Sequence, residues 1–149
     1  MNSGLEELRS YVPDAAVLAP DVSKWSVGMH IQHCGLAMSV VCPSLVASQA
    51  PAPRSRFNPV RSVIFLTGRI PRGRGKSPAQ AVPTEGVQAG ELEPLLDECE
   101  VWLEKVRGVP ADHWYEHFAF GILDRDRTLK FIRIHNGHHL RIIQDILCA

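Results

Sequence analysis

The segment from Trp25 to Pro43, WSVGMHIQHCGLAMSVVCP, constrains the fold more than any other part of the sequence. Ser26 is a typical helix N-cap and Pro43 a typical stop. Between them the only clearly polar side chains are two histidines, one glutamine and one serine. A helix that is apolar on every side must be surrounded by protein, and this apolar run is shorter than the roughly 20 residues that span a bilayer. The segment therefore predicts the central helix of a bundle.

Helical periodicity recurs along the chain, and no alternating strand pattern competes with it. The predicted partners are a short helix capped by Ser3 and Glu6 that ends before Pro13, one from Asn58 to Gly68, an amphipathic one over 91–108, and one from Asp124 or Asp126 to about Leu147. The sequence thus predicts an all-α fold in a single domain, 1–149. A loop over 69–90 crosses between helices, and whether it acts as a lid stays open.

The loop contains a basic cluster, Arg69, Arg72, Arg74 and Lys76. It lacks the spacing of a phosphate-binding P-loop and is not followed by a helix start. We therefore interpret the cluster as a solvated loop rather than as a phosphate site.

Charge and cysteine content exclude several classes of partner. The chain has 16 basic and 16 acidic side chains, so no net field favours nucleic acid or an anionic membrane. The first residues, MNSGLEELRSYV, lack the pattern of a signal peptide, which predicts a cytoplasmic protein. The four cysteines are scattered without a CxxC pair and are predicted to be reduced thiols.

Three histidines lie within five positions of the predicted last helix, in HNGHH. Positions four apart differ by only about 40° around a helix, so His135 and His139 project from one face, and that face is the apolar one. His138 lies roughly 60° to one side of His135. Gly137 predicts a close approach by a neighbouring element, because glycine is unfavourable inside a helix.

Buried imidazoles need partners, because an unsatisfied buried polar group is costly. Backbone carbonyls or water are one solution, and a divalent ion shared by an HxxxH pair is another. A zincin peptidase is excluded, since Asn136 stands where that motif has its glutamate. His33 lies among apolar residues of the central helix, with His30 one turn earlier, and this favours a metal site with three histidine ligands and one open position.

The motifs WSVGMHIQHC and HNGHHLRIIQDI, with IPRGRGKSP and HFAFGIL between them, resemble the DinB/YfiT-like family of metalloenzymes. The resemblance covers nearly the whole chain and implies a four-helix bundle, up-down-down-up, with a long crossover. It places the metal triad on His33, His135 and His139. It also implies a homodimer and a small-molecule substrate, with a thiol-containing substrate suggested by other branches of the family. The sequence departs from the pattern at Phe118, where proline often follows the histidine.

The remaining expectations concern chemistry. Zinc is the metal that imidazole ligands favour, with nickel, iron(II) and manganese as further choices. His30, His117 and His138 are the candidates for a general base. Three function classes stay open: a metal-dependent thiol transferase or hydrolase, a binding module without turnover, and a structural bundle with core histidines.

Overall fold

The computed structural model describes residues 3–149, and over that range the chain forms five α-helices and one β-hairpin. The elements in chain order are α1 (Leu5–Ser10), α2 (Val27–Val46), α3 (Pro59–Thr67), α4 (Ala89–Gly108), β1 (Trp114–His117), β2 (Gly121–Asp124) and α5 (Arg125–Leu147). Short 3-10 turns occupy Val12–Asp14 and Ala79–Ala81. The protein is mostly helical as predicted, but the all-α expectation is wrong because two strands are present.

The β-hairpin pairs β1 with β2 in antiparallel register, from Trp114 opposite Asp124 to His117 opposite Gly121. Its strands have only four residues each, too few for an alternating pattern to stand out. The Nδ1 atom of His117 accepts the backbone N–H groups of Ala119 (3.0 Å) and Phe120 (3.1 Å), which closes the turn. Gly121 follows with a φ of 68°, a conformation that favours glycine. The hairpin leads directly into α5.

Helix α2 is the central helix, with α4 and α5 packed against it. Ser26 caps it as predicted, its hydroxyl accepting the Met29 N–H at 3.2 Å. The prediction that this helix ends at Pro43 is wrong. The helix continues to Val46, because a proline in the last turns removes only one hydrogen bond. By length and mean hydropathy (1.2) α2 could cross a membrane. However, 56% of the 18-residue stretch that gives this hydropathy is buried inside the protein. Such burial is typical of a core helix.

The other predicted boundaries are mostly confirmed. Helix α3 has Asn58 as its N-cap, accepting from Arg61 N at 2.9 Å, and Gly68 ends it with a φ of 65°. Asp124 caps α5 through a 2.8 Å bond from Arg127 N. The prediction that Ser3 caps the first helix is wrong, because Gly4 occupies the N-cap of α1.

Helices α2 and α4 approach each other closely at Gly35. The Cys99 thiol of α4 donates to the Gly35 carbonyl at 3.4 Å. A Cβ atom at position 35 would lie 2.6 Å from Cδ2 and 2.7 Å from Cγ of Leu95. Such distances are well inside van der Waals contact, so the absence of a side chain at Gly35 sets how near α4 lies to the helix that bears His33.

We expect Gly35→Ala to lower the free energy of unfolding by about 1–2 kcal/mol, because overpacking outweighs the gain in helix propensity. Urea denaturation measures the change. Adding Leu95→Ala to the same chain removes the obstructing atoms, so the double variant should lose less than the sum of the single changes. A Gly35→Ala protein as stable as the wild type would contradict the close approach.

Candidate metal centre

The predicted triad comes together between two helices. His33 projects from α2, while His135 and His139 project from α5 one turn apart. Three ring nitrogens, one from each histidine, all lie within 4.8 Å of one another. The ring centroids form a triangle, with His33 4.6 Å from His139, His135 4.8 Å from His139, and His33 5.0 Å from His135. In the described part of the chain, no carboxylate joins this cluster.

The tautomer of His33 is fixed by the loop between α3 and α4. Its Nδ1 atom lies 2.6 Å from the carbonyl oxygen of Ala81. A carbonyl only accepts, so Nδ1 carries the proton, and Nε2 of the neutral ring keeps its lone pair. That Nε2 lies 3.1 Å from Nε2 of His135. Two zinc ligands at tetrahedral angles stand about 3.3 Å apart, so this pair is close to the spacing that a shared ion needs.

A second row of contacts runs behind His139. Its Nδ1 lies 2.9 Å from Nδ1 of His30, whose Nε2 lies 2.9 Å from the Ser23 hydroxyl. Ser23 also accepts the Trp25 N–H at 3.1 Å. Two tautomer sets satisfy this row, and in one of them His139 donates to His30 and His30 to Ser23. In that set Nε2 of His139 keeps its lone pair, as His33 does.

Burial keeps these rings neutral. It lowers the pKa of His135 to about 3 and that of His30 to about 4, with neighbouring histidines adding to the effect. Burial likewise lowers the pKa of His33 and, more strongly, that of His139. Metal binding requires the deprotonated imidazole. The cluster therefore offers its lone pairs at neutral pH without having to release protons.

An indole covers one side of the cluster, and solvent reaches another. The half-buried Trp25 ring lies 5.2 Å from the His33 ring, 5.3 Å from His30 and 6.3 Å from His139, centroid to centroid. His33 and His139 are buried, whereas His135 is only partly so. Of the three histidines, His135 is therefore the one with most access to solvent.

The residues present fit a divalent ion. The His33 N–H that donates to a backbone carbonyl is the usual support of a metal-ligating histidine. One pair of nitrogens already has a suitable separation, and the three ligand atoms all lie within 4.8 Å of one another. Three neutral ligands leave room for a fourth at a tetrahedral ion, which is the pattern of an open site.

The three candidates for a general base are all engaged elsewhere. His30 uses both ring nitrogens in the row behind His139. His117 is packed among Phe118, Phe120 and Phe131, and the two N–H groups on its Nδ1 put its ring proton on Nε2, so the neutral ring has no acceptor left. His138 bonds to the Ile70 backbone with Arg72 and Arg141 nearby, although its ring lies only 4.9 Å from that of His139, centroid to centroid. The geometry identifies none of them as the base.

Two contacts of this centre were not predicted from the sequence, and the prediction made for Gly137 is wrong. The Ala81 carbonyl and the Ser23 hydroxyl support His33 and His30, yet neither position has a sequence signal, because any residue offers a carbonyl and serines are common in loops. Gly137 does not mark a close approach: the nearest atom to a Cβ there would be Nη1 of Arg141, 3.6 Å away on the same helix.

The cysteine thiols add neither a ligand nor a reactive nucleophile to the histidine cluster. In the described residues all four cysteines are free, with Cys34, Cys42 and Cys99 buried and Cys148 exposed. Burial raises the pKa of the Cys42 and Cys99 thiols to about 12. A buried thiol with a raised pKa is a poor nucleophile, because the thiolate is the reactive form.

Acid should destabilise the metal-free protein. Burial lowers the pKa of His30, His117 and His138 to about 4, against about 6.5 in an unfolded chain. Above pH 6.5 both states are neutral and this contribution to stability is complete. Between about pH 6.5 and 4 the unfolded state binds protons that the native state does not, so each group lowers the free energy of unfolding by about 1 kcal/mol per pH unit. Urea denaturation from pH 8 to 4 measures the slope, and a flat profile would contradict it.

Comparison of the chain with models of known protein families, with curated proteins and with solved structures found no match. The resemblance to the DinB/YfiT-like family therefore remains a prediction made from the motifs.

Proposed function

We propose that this protein is a metal-dependent enzyme of the DinB/YfiT-like kind, with a divalent ion held by His33, His135 and His139. One observation supports the proposal above all. The Ala81 carbonyl fixes the His33 proton on Nδ1, so its Nε2 lone pair faces Nε2 of His135, 3.1 Å away on another helix.

The electrostatics of the cluster favour an ion over a purely structural role. Each neutral ring has one N–H and one lone pair. In the tautomer set described above, the N–H groups of His33 and His30 go to Ala81 and Ser23, so the lone pairs in the cluster outnumber the N–H groups left for them. A cation satisfies several lone pairs at once. Zinc is the metal proposed first, and nickel, iron(II) and manganese accept the same ligands.

A bound divalent ion would lower the pKa of a water or thiol at its open position. The protein supplies the rest of the site. Three neutral ligands do not offset the charge of the ion, so anionic groups such as a thiolate are favoured there. Trp25 excludes water from one side, and His30 orients His139. A small thiol-containing substrate approaching beside His135, for group transfer or hydrolysis, fits these properties.

The finer architecture and the location belong to the same proposal. The resemblance implies a four-helix, up-down-down-up bundle with a long crossover, the predicted loop 69–90 between α3 and α4. The packing of α4 and α5 on α2 supports it. A cytoplasmic location is part of the proposal. The absence of a net charge agrees with a protein that binds neither nucleic acid nor anionic membranes.

Metal titration tests the proposal directly. We expect about one zinc ion per chain and a higher melting temperature with zinc than in chelator, because a ligand that binds only the native state stabilises it. His33→Ala, His135→Ala and His139→Ala should abolish stoichiometric binding. His30→Ala should weaken it by about 10- to 100-fold, the usual effect of removing a residue that orients a ligand. Metal analysis and calorimetry provide the readouts.

His113→Ala is the matched control. Its Nδ1 bonds to the Leu45 carbonyl (3.2 Å), twelve residues and about 18 Å along α2 from His33, so zinc binding should be unchanged. If the wild type holds no stoichiometric metal and melts identically in chelator, the histidines are structural. If zinc and small thiols bind and stabilise the protein but no product forms, the protein is a binding module instead.

We also propose that the protein is a homodimer formed through α3. Val60, Val63 and Leu66 recur on one side of this helix and are 57%, 59% and 87% exposed, with Phe57 before them at 84%. Exposed apolar groups at helical spacing are typical of an interface. We expect the wild type to have twice the chain mass by light scattering and Leu66→Asp to be monomeric. A monomeric wild type would contradict this, whereas Val101→Asp, on the exposed side of α4, should leave the mass unchanged.

A further inference from the structure

Gly137 lies in the middle of the unbroken helix α5, and packing within the chain does not require it. Glycine is unfavourable in a helix interior, so a glycine there usually has a packing or functional reason. At Gly35 the reason is the neighbouring Leu95. At Gly137 a Cβ would make only an ordinary contact, 3.6 Å from Nη1 of Arg141. Packing therefore does not exclude a side chain at position 137, and the Arg141 guanidinium lies over this stretch of backbone.

This stretch of backbone borders a recess of about 310 Å³ lined by Gly68, Arg133, Ile134, Gly137 and Arg141. Positions 133, 137 and 141 are four residues apart, so they follow one side of α5, with the glycine midway between two arginines. Gly137 is rotated by about 160° from His135, so the recess lies on the side of α5 away from the triad. It is thus independent of the proposed metal centre.

The two arginines are not neutralised by the protein. Within residues 3–149 neither guanidinium is in an ion pair or a hydrogen bond. Asp145, one turn beyond Arg141, is bonded to Arg72 at 2.7 Å instead. Two positive groups therefore border a bare stretch of helix backbone. They line the recess together with one buried apolar side chain, Ile134.

We propose that this recess binds the phosphate group of a small molecule, with Arg133 and Arg141 on either side and the Gly137 backbone as its floor. Guanidinium groups bind phosphate through paired, charge-assisted hydrogen bonds, and a phosphate monoester has close to two negative charges at neutral pH. The recess is largely open to solvent, and its volume is at the lower end for small-molecule sites. The zero net charge of the chain argues against a polyanion.

Calorimetry on the full-length protein tests this, after the metal has been stripped and the chelator dialysed away, so that phosphate cannot bind through an ion. The probes are inorganic phosphate, pyrophosphate and phenyl phosphate in chloride buffer. We expect saturable binding of one molecule per chain, weakened at least 10-fold by Arg133→Ala and by Arg141→Ala. Gly137→Ala should also weaken binding at least 10-fold while raising the melting temperature by about 2–4 °C, since the added methyl group favours the helix and keeps the phosphate off the backbone floor of the recess.

Two matched variants serve as controls. Arg54→Ala removes an exposed arginine elsewhere and should bind phosphate as the wild type does. Gly90→Ala adds a methyl group in α4 where no atom lies within 4 Å, and should also leave binding unchanged. Zinc binding should be unaffected by Gly137→Ala, so a failure of this site and a failure of the metal centre are distinguishable.

Several results would overturn the proposal. These are a wild type that binds none of the probes at 10 mM, arginine variants that bind as well as Arg54→Ala, and a Gly137→Ala protein that is less stable than the wild type or binds equally well. Binding to vesicles containing phosphatidylglycerol without binding to the soluble probes would assign the recess to a membrane surface instead.

Discussion

The hydrogen bond from Nδ1 of His33 to the carbonyl of Ala81 is the interaction on which the candidate site depends. It joins the central helix to the segment between α3 and α4, and it decides which nitrogen of His33 faces α5. The segment is held at more than this point, since Ala81 and Val87 are buried and Thr84 N donates to the Gln32 side chain at 2.6 Å. The crossover is therefore part of the site and not merely a solvated connection.

The site uses desolvation in place of acidic partners. Histidines in proteins are often oriented by a carboxylate, which raises their pKa and favours the charged ring. Here a carbonyl, a hydroxyl and a second histidine fill that role, and burial lowers the pKa of every ring in the cluster. The protein thus keeps the imidazoles neutral through its fold. The same choice makes the native state sensitive to acid, because the unfolded chain binds protons on these rings at a pH where the native state does not.

Sequence reasoning located the triad because helix periodicity and burial are local properties. His135 and His139 share a face by spacing alone, and the apolar surroundings of His33 require it to point into the core. The boundaries at Asn58, Gly68 and Asp124 followed from capping chemistry in the same way. Long-range contacts could not be predicted: Ala81 reaches His33 across 48 residues, and the His117 turn depends on a hairpin too short to show a pattern.

The two sides of α5 show how one helix can separate two kinds of polar chemistry. On the inner side, neutral rings are packed against α2, where an added charge would be costly. On the outer side, Arg133 and Arg141 keep their charge beside the bare backbone of Gly137. His138 lies at the boundary, and Arg141 and Arg72 help to lower its pKa. An anion bound between Arg133 and Arg141 would lie on the side of α5 away from the neutral rings, so one helix keeps a charged surface and a desolvated cluster apart.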